Sequence, residues 1–87
     1  MAGVEFTAMD FALLRRLFSV FREHPEGMTP AELQPLLEGD FPESDEVEMR
    51  EGISITRLRG RGLVEEGEGG RVRLTYEGAA LAAGLHD

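Results

Sequence analysis

A mainly helical α+β domain is predicted, with three helices forming a core, a two-stranded β-hairpin after them and a short C-terminal helix. Three observations carry this prediction. Apolar residues recur at helical spacing as far as Leu58. A helix-start signature, Thr29-Pro30-Ala31-Glu32, interrupts that pattern. Beyond Gly60-Arg61-Gly62 the apolar period changes to two. The 87 residues suffice for one domain, whose folding buries roughly 60–65 % of the surface of the unfolded chain. The expected division is an arm over 1–9, a helical core over 10–61, a hairpin over 62–76 and a last helix over 77–86.

The first helix is expected over 10–24, opened by Asp10. Phe11, Leu13, Leu14, Leu17, Phe18, Val20 and Phe21 lie mostly on one face, while Arg15, Arg16, Ser19, Arg22 and Glu23 take the other. Pro25 disfavours helical geometry at His24 and ends it. Met28 is placed to form a very short strand. In the second helix Thr29 suits the N-cap, Pro30 the first turn, and Glu32 closes a capping box. Leu33, Leu36 and Leu37 then point inward and Gly39 stops the helix. Pro35 removes a backbone donor beyond the first turn, so a short or irregular helix is expected.

An acidic turn, Glu38-Gly39-Asp40-Phe41-Pro42-Glu43, leads to Ser44 as the expected N-cap of a third helix over about 45–60. Asp45, Glu46 and Glu48 suit the positive end of its dipole. Gly52 weakens it by roughly 1 kcal/mol relative to alanine. In the hairpin, Leu63-Val64-Glu65-Glu66 reads as one strand and Gly67-Glu68-Gly69-Gly70 as the turn. The returning strand Arg71–Tyr76 sets Val72, Leu74 and Tyr76 on one face against Arg71, Arg73 and Thr75. Thr75 suits the cap of the last helix, which is rich in alanine.

No cysteine is present, which removes disulfides and thiolate metal sites and fits a reducing compartment. Met1-Ala2-Gly3-Val4-Glu5 has no basic region followed by an apolar run, and no segment is long and apolar enough for a bilayer. A cytoplasmic protein without membrane partners is therefore expected. The net charge is −8 and unevenly placed. Residues 50–73 hold six arginines against four glutamates, a net of +2, and the remainder carries −10. Every basic side chain is arginine, the residue suited to bidentate contact with phosphate, guanine or carboxylate.

The stretch Ile55-Thr56-Arg57-Leu58-Arg59-Gly60-Arg61-Gly62-Leu63-Val64-Glu65 resembles the end of the recognition helix and the start of the wing in winged helix-turn-helix regulators of the MarR and PadR types. Arg71-Val72-Arg73-Leu74-Thr75-Tyr76-Glu77-Gly78 resembles their returning wing strand and its exit. Met28-Thr29-Pro30-Ala31-Glu32-Leu33 resembles the start of their second helix. With the first helix included, the resemblance covers residues 10 to 85. It implies a winged-helix fold and a small DNA-binding transcription regulator that acts as a dimer, whose third helix enters the major groove while the wing holds phosphate. The turn before helix three is longer than in those families, and the helix begins with acidic residues.

On a helical wheel Arg50, Ser54, Arg57 and Arg61 form one stripe at spacing i, i+4, i+7 and i+11. Val47, Ile55 and Leu58 fall to one side of it, Met49 and Ile53 to the other. Facing outward, the arginines would reach phosphates or guanine edges of double-stranded DNA, joined by Arg71 and Arg73 from the wing. The alternative is that Glu46, Glu48 and Glu51 neutralise the stripe and that Arg71 and Arg73 pair with Glu65 or Glu66. On that reading the chain is an acidic protein-interaction module, or a subunit of a larger complex, that docks a basic or apolar partner or a second copy of itself through Met49, Ile53 and Phe41.

No enzyme, metal or cofactor chemistry is expected. The acidic cluster from Asp40 to Glu48 lacks calcium-loop spacing. His24 and His86 have no companions at zinc spacing, and no serine sits in a nucleophile elbow. Gly67-Glu68-Gly69-Gly70 opens no helix, so it is not a phosphate loop.

Overall fold

Four helices and one antiparallel hairpin make up the computed structural model, which describes residues 5–85. Residues 1–4 of the expected arm and His86 lie outside the described residues. The order is α1 (Ala8–Ser19), α2 (Pro30–Asp40), α3 (Val47–Gly60), β1 (Val64–Glu66), a 3-10 turn (Glu68–Gly70), β2 (Val72–Leu74) and α4 (Tyr76–Leu85). The order of elements is the one the pattern of periods predicts, and the layout is winged-helix-like.

Helix α1 starts two residues earlier than expected because Thr7, not Asp10, is its N-cap. The Thr7 hydroxyl accepts from the Asp10 N–H at 3.1 Å, and the Asp10 carboxylate accepts from the Thr7 N–H at 3.0 Å. The helix ends at Ser19 rather than His24. Past that point, tighter bonds from the Phe21 N–H to the Phe18 carbonyl and from the Glu23 N–H to the Val20 carbonyl turn the chain. Phe21 is left exposed, so another α-turn would have had little to bury.

Helix α2 has the expected capping box between Thr29 and Glu32. Leu33 and Leu37 are buried and Leu36 half-buried. Pro35 sits inside a helix that continues to Asp40, which corrects the expectation of a short or irregular element. The carbonyl that loses its donor belongs to Ala31, an exposed residue, so water can satisfy it. Ser44 is not the N-cap of α3. Its hydroxyl accepts from the Glu46 N–H at 3.2 Å within the preceding turn, and the helix starts at Val47, which is buried.

The core joins Met9, Ala12, Leu13, Leu14 and Leu17 of α1 to Leu33 and Leu37, Val47 and Leu58, the hairpin residues Val64, Val72 and Leu74, and Ala82 of α4. The hairpin pairs Val64 with Leu74, Glu65 with Arg73 and Glu66 with Val72. Met28 forms a single bridge to Val72, the minimal version of the expected short strand. Gly27 makes that bridge possible, because a Cβ on it would lie 2.2 Å from the Val72 carbonyl oxygen. Gly78 does the same for α4, where a Cβ would come within 1.8 Å of the Leu63 carbonyl oxygen. Tyr76 does not share the inward strand face with Val72 and Leu74. It begins α4 and is 88 % exposed. Thr75 caps this helix, accepting from the Gly78 N–H at 3.1 Å. Among the described residues no helix is long and apolar enough to cross a membrane.

Candidate functional site

Helix α3 carries most of the residues that the sequence singles out, and the fold separates them into two groups. Val47, Glu51, Ser54 and Leu58 face inward. Their spacing is again i, i+4, i+7 and i+11, so Ser54 belongs to the buried stripe as well as to the arginine stripe. It is fully buried, which removes it from any outward DNA-reading surface.

The Ser54 hydroxyl donates to the carboxylate of Asp10, which is itself buried. Arg57 reaches the same carboxylate from the surface side. Its Nε donates to Oδ2 at 3.2 Å, and its Nη2 donates to Oδ1 at 3.0 Å and to the Thr7 hydroxyl at 3.3 Å. Burial alone would push the Asp10 carboxyl up. The hydrogen bonds from Arg57, Ser54 and the Thr7 N–H outweigh it, and the carboxyl sits below its ordinary value. Arg57 is thus the outer member of a polar tie between the start of α1 and the middle of α3. Its partner is not one of the glutamates on its own helix.

The other arginines of α3 and the wing are likewise engaged. The Arg50 guanidinium lies 5.0 Å from the centre of the Phe41 ring and donates to the Ser44 hydroxyl at 3.4 Å. Phe41 is half-buried beneath it and packs against the core. Arg61 stacks over Phe6 at 5.0 Å and donates to the Glu5 carbonyl. Arg73 pairs with Glu65 at 2.9 Å, directly across the hairpin. Arg71 pairs not with the hairpin but with Glu32 of the α2 capping box at 3.1 Å, and also donates to the Gly27 carbonyl. Arg59 holds Glu66 at 2.6 Å. Such exposed ion pairs add little stability, yet they set matched negative charge beside the basic groups of α3 and the wing.

Solvent instead meets an apolar strip of α3. Met49 is 55 % exposed and Ile53 53 %, and with Glu48, Gly52, Thr56 and the stem of Arg57 they line a shallow depression. A second, more enclosed cleft lies on the α2 side of α3. Pro30, Ala31 and Gln34 of α2, Glu48, Glu51 and Ile55 of α3, and Val72 of β2 are among its lining residues. Glu48 and Gly52 border both depressions.

Glu51, which the sequence offers only as a neutralising charge, is enclosed by the fold. It is only 2 % exposed, and its Oε2 has no hydrogen-bond partner. Burial, with Glu48 and Glu38 nearby, pushes its carboxyl up to about 7. The signal was available: counting back from Leu58 at 4, 7 and 11 positions reaches Ser54, Glu51 and Val47. The chain matches no protein-family model, no curated protein and no solved structure.

Proposed function

We propose that this chain is an acidic winged-helix module that binds another protein through the exposed face of α3. One observation carries the reading: Met49 and Ile53 stand more than half exposed on that helix, while the arginines beside them are already engaged. An apolar pair of this kind, rimmed by charge, gives an interface its anchoring contacts.

Reading DNA through the same helix would make different demands. Arg57 would have to leave Asp10, stranding a buried carboxylate without its counter-ion. Ser54 faces the core, so Arg50 and Arg61 would act without it. Phosphates would also approach Glu48 and a chain of net charge −8. Self-association through this face would bring two copies of Glu48 together. A partner of opposite charge suits the face better.

Titration of mixed-sequence duplex DNA, followed by fluorescence anisotropy at low and then moderate salt, tests the reading from one side. No saturable binding is expected. Binding that weakens steeply with salt and disappears in the Arg57→Ala/Arg61→Ala double variant would overturn the proposal in favour of a DNA-binding regulator. A photo-crosslinker tests it from the other side, placed at Ile53 or at the control position Phe21 in cells that naturally express the chain. A discrete protein adduct is expected from position 53 alone; equal labelling from both positions would count against the α3 face.

A further inference from the structure

Buried polar groups in folded proteins are almost always paired. Among the described residues, Oε2 of Glu51 is the buried side-chain atom left without a partner. Glu51 is also among the residues that line the cleft of about 450 Å³ between α2, α3 and the hairpin. Glu48 and Gln34 line the same cleft and offer further acceptors. The basic residue among those lining the cleft, Arg59, is held by Glu66 at 2.6 Å. Glu38 of α2 adds to the negative potential at Glu51. Among the described residues no three side chains gather as a metal site. The cleft therefore presents oxygen acceptors and net negative charge, with apolar walls from Pro30, Ala31, Ile55 and Val72.

We infer that this cleft receives one basic side chain, a lysine ammonium or arginine guanidinium, from a partner protein, with Glu51 as its buried counter-ion. The inference rests on the interaction reading above and names the chemistry of the partner. Gly52 separates the cleft from the Met49–Ile53 strip and has open space where a Cβ would stand. A partner segment can thus lay an apolar residue on the strip and direct a basic residue into the cleft beside it. The apolar walls fit the methylene stem of such a side chain while its charged end meets the carboxylate. A cation there favours the ionised form of Glu51, so occupation strengthens as pH rises from 6 to 8. The other charged groups around the cleft are Glu48, Glu66 and Arg59 in its lining and Glu38 of α2.

The test uses the full chain labelled with 15N, with hexylammonium as a lysine-like probe, 1-hexanol as its neutral counterpart and spermidine as a free polyamine. Hexylammonium is expected to shift the amides of Gln34, Glu51, Gly52 and Ile55 saturably, and more tightly at pH 8 than at pH 6. Glu51→Gln should weaken it on the order of tenfold, the size of a lost charge-assisted hydrogen bond. Gly52→Leu, at an open helix position, should weaken it by occluding the mouth. Hexanol should move only the amides of Met49 and Ile53. Equal hexylammonium affinity in Glu51→Gln, or no saturable shift at these amides, would overturn the inference. Tighter binding of spermidine than of hexylammonium would overturn the assignment to a protein side chain. Duplex DNA added to the same sample separates the two proposals. If DNA binds, the interaction reading itself falls; if the cation probe fails and DNA does not bind, only the cleft assignment falls.

Discussion

Replacing Glu51 with glutamine keeps the shape of the side chain and removes its charge at every pH. The folded chain holds this carboxyl at about 7 against an ordinary 4.5. Below pH 4.5 both folded and unfolded chains carry the proton, and the residue contributes no pH dependence. Between 4.5 and 7 the unfolded chain ionises while the folded chain does not, so the folded state binds more protons and stability falls as pH rises. Above 7 the folded carboxylate is ionised beside Glu48 and Glu38 without a hydrogen-bond partner for Oε2, and the full penalty is present. The displacement corresponds to at most about 3 kcal/mol, and we expect about 2 kcal/mol because side chains relax and water reaches into so small a domain. Urea unfolding of both proteins, followed by far-UV circular dichroism at pH 4.5, 6 and 8, measures it. The stability advantage of Glu51→Gln should grow from near zero at pH 4.5 to about 2 kcal/mol at pH 8. An advantage that stays constant across this range would refute the reasoning, since it would mean that Glu51 titrates as an ordinary exposed glutamate.

Asp10→Asn removes the counter-ion of Arg57 and weakens the capping box, and should cost roughly 2 kcal/mol at pH 7 by the same unfolding measurement. Because the folded Asp10 carboxyl lies below its ordinary value of 3.8, its stabilisation is present above that pH and lost as pH falls further; acid unfolding of Asp10→Asn should therefore be flatter than that of the wild type. Gly78→Ala places a Cβ against the Leu63 backbone and should cost at least about 2 kcal/mol or prevent folding, seen as loss of the cooperative thermal transition. Gly52→Ala meets nothing within 4 Å in the interior of a helix; a gain of roughly 0.5–1 kcal/mol in urea is expected, and a loss would show that the bare backbone there serves the fold.

Much of the fold was legible because its cues are local. The Thr29–Glu32 box acts over three residues, and the change of period after Gly62 separates α3 from the hairpin without any knowledge of packing. Glu65 and Glu66 were readable as cross-strand candidates for Arg73, since alternation and a short turn bring that strand opposite, and the register places Glu65 there. Boundaries were less legible where two local choices compete. Thr7 and Asp10 can each begin a helix, and the capping box that uses both puts Thr7 at the cap. Ser44 and Glu46 compete in the same way, and burial of Val47 sets the start of α3.

The candidate site was the least legible part. Helical spacing places Arg50, Ser54, Arg57 and Arg61 on one stripe, but the same spacing places Ser54 on the stripe of Val47 and Leu58. Only the position of α1 against α3 decides which stripe is buried. By itself, the amino-acid sequence determined the order of elements, the α2 cap, the hairpin and the acidic balance of the chain. The physical reason is that these depend on contacts a few residues apart, or on charge alone. The tertiary structure decided that Asp10 lies under Arg57 and Ser54, which are 47 and 44 positions away, that Arg71 turns to Glu32, and that Glu51 is enclosed without a partner. Pairings across such distances arise only as the helices pack, when desolvation makes the choice of partner matter.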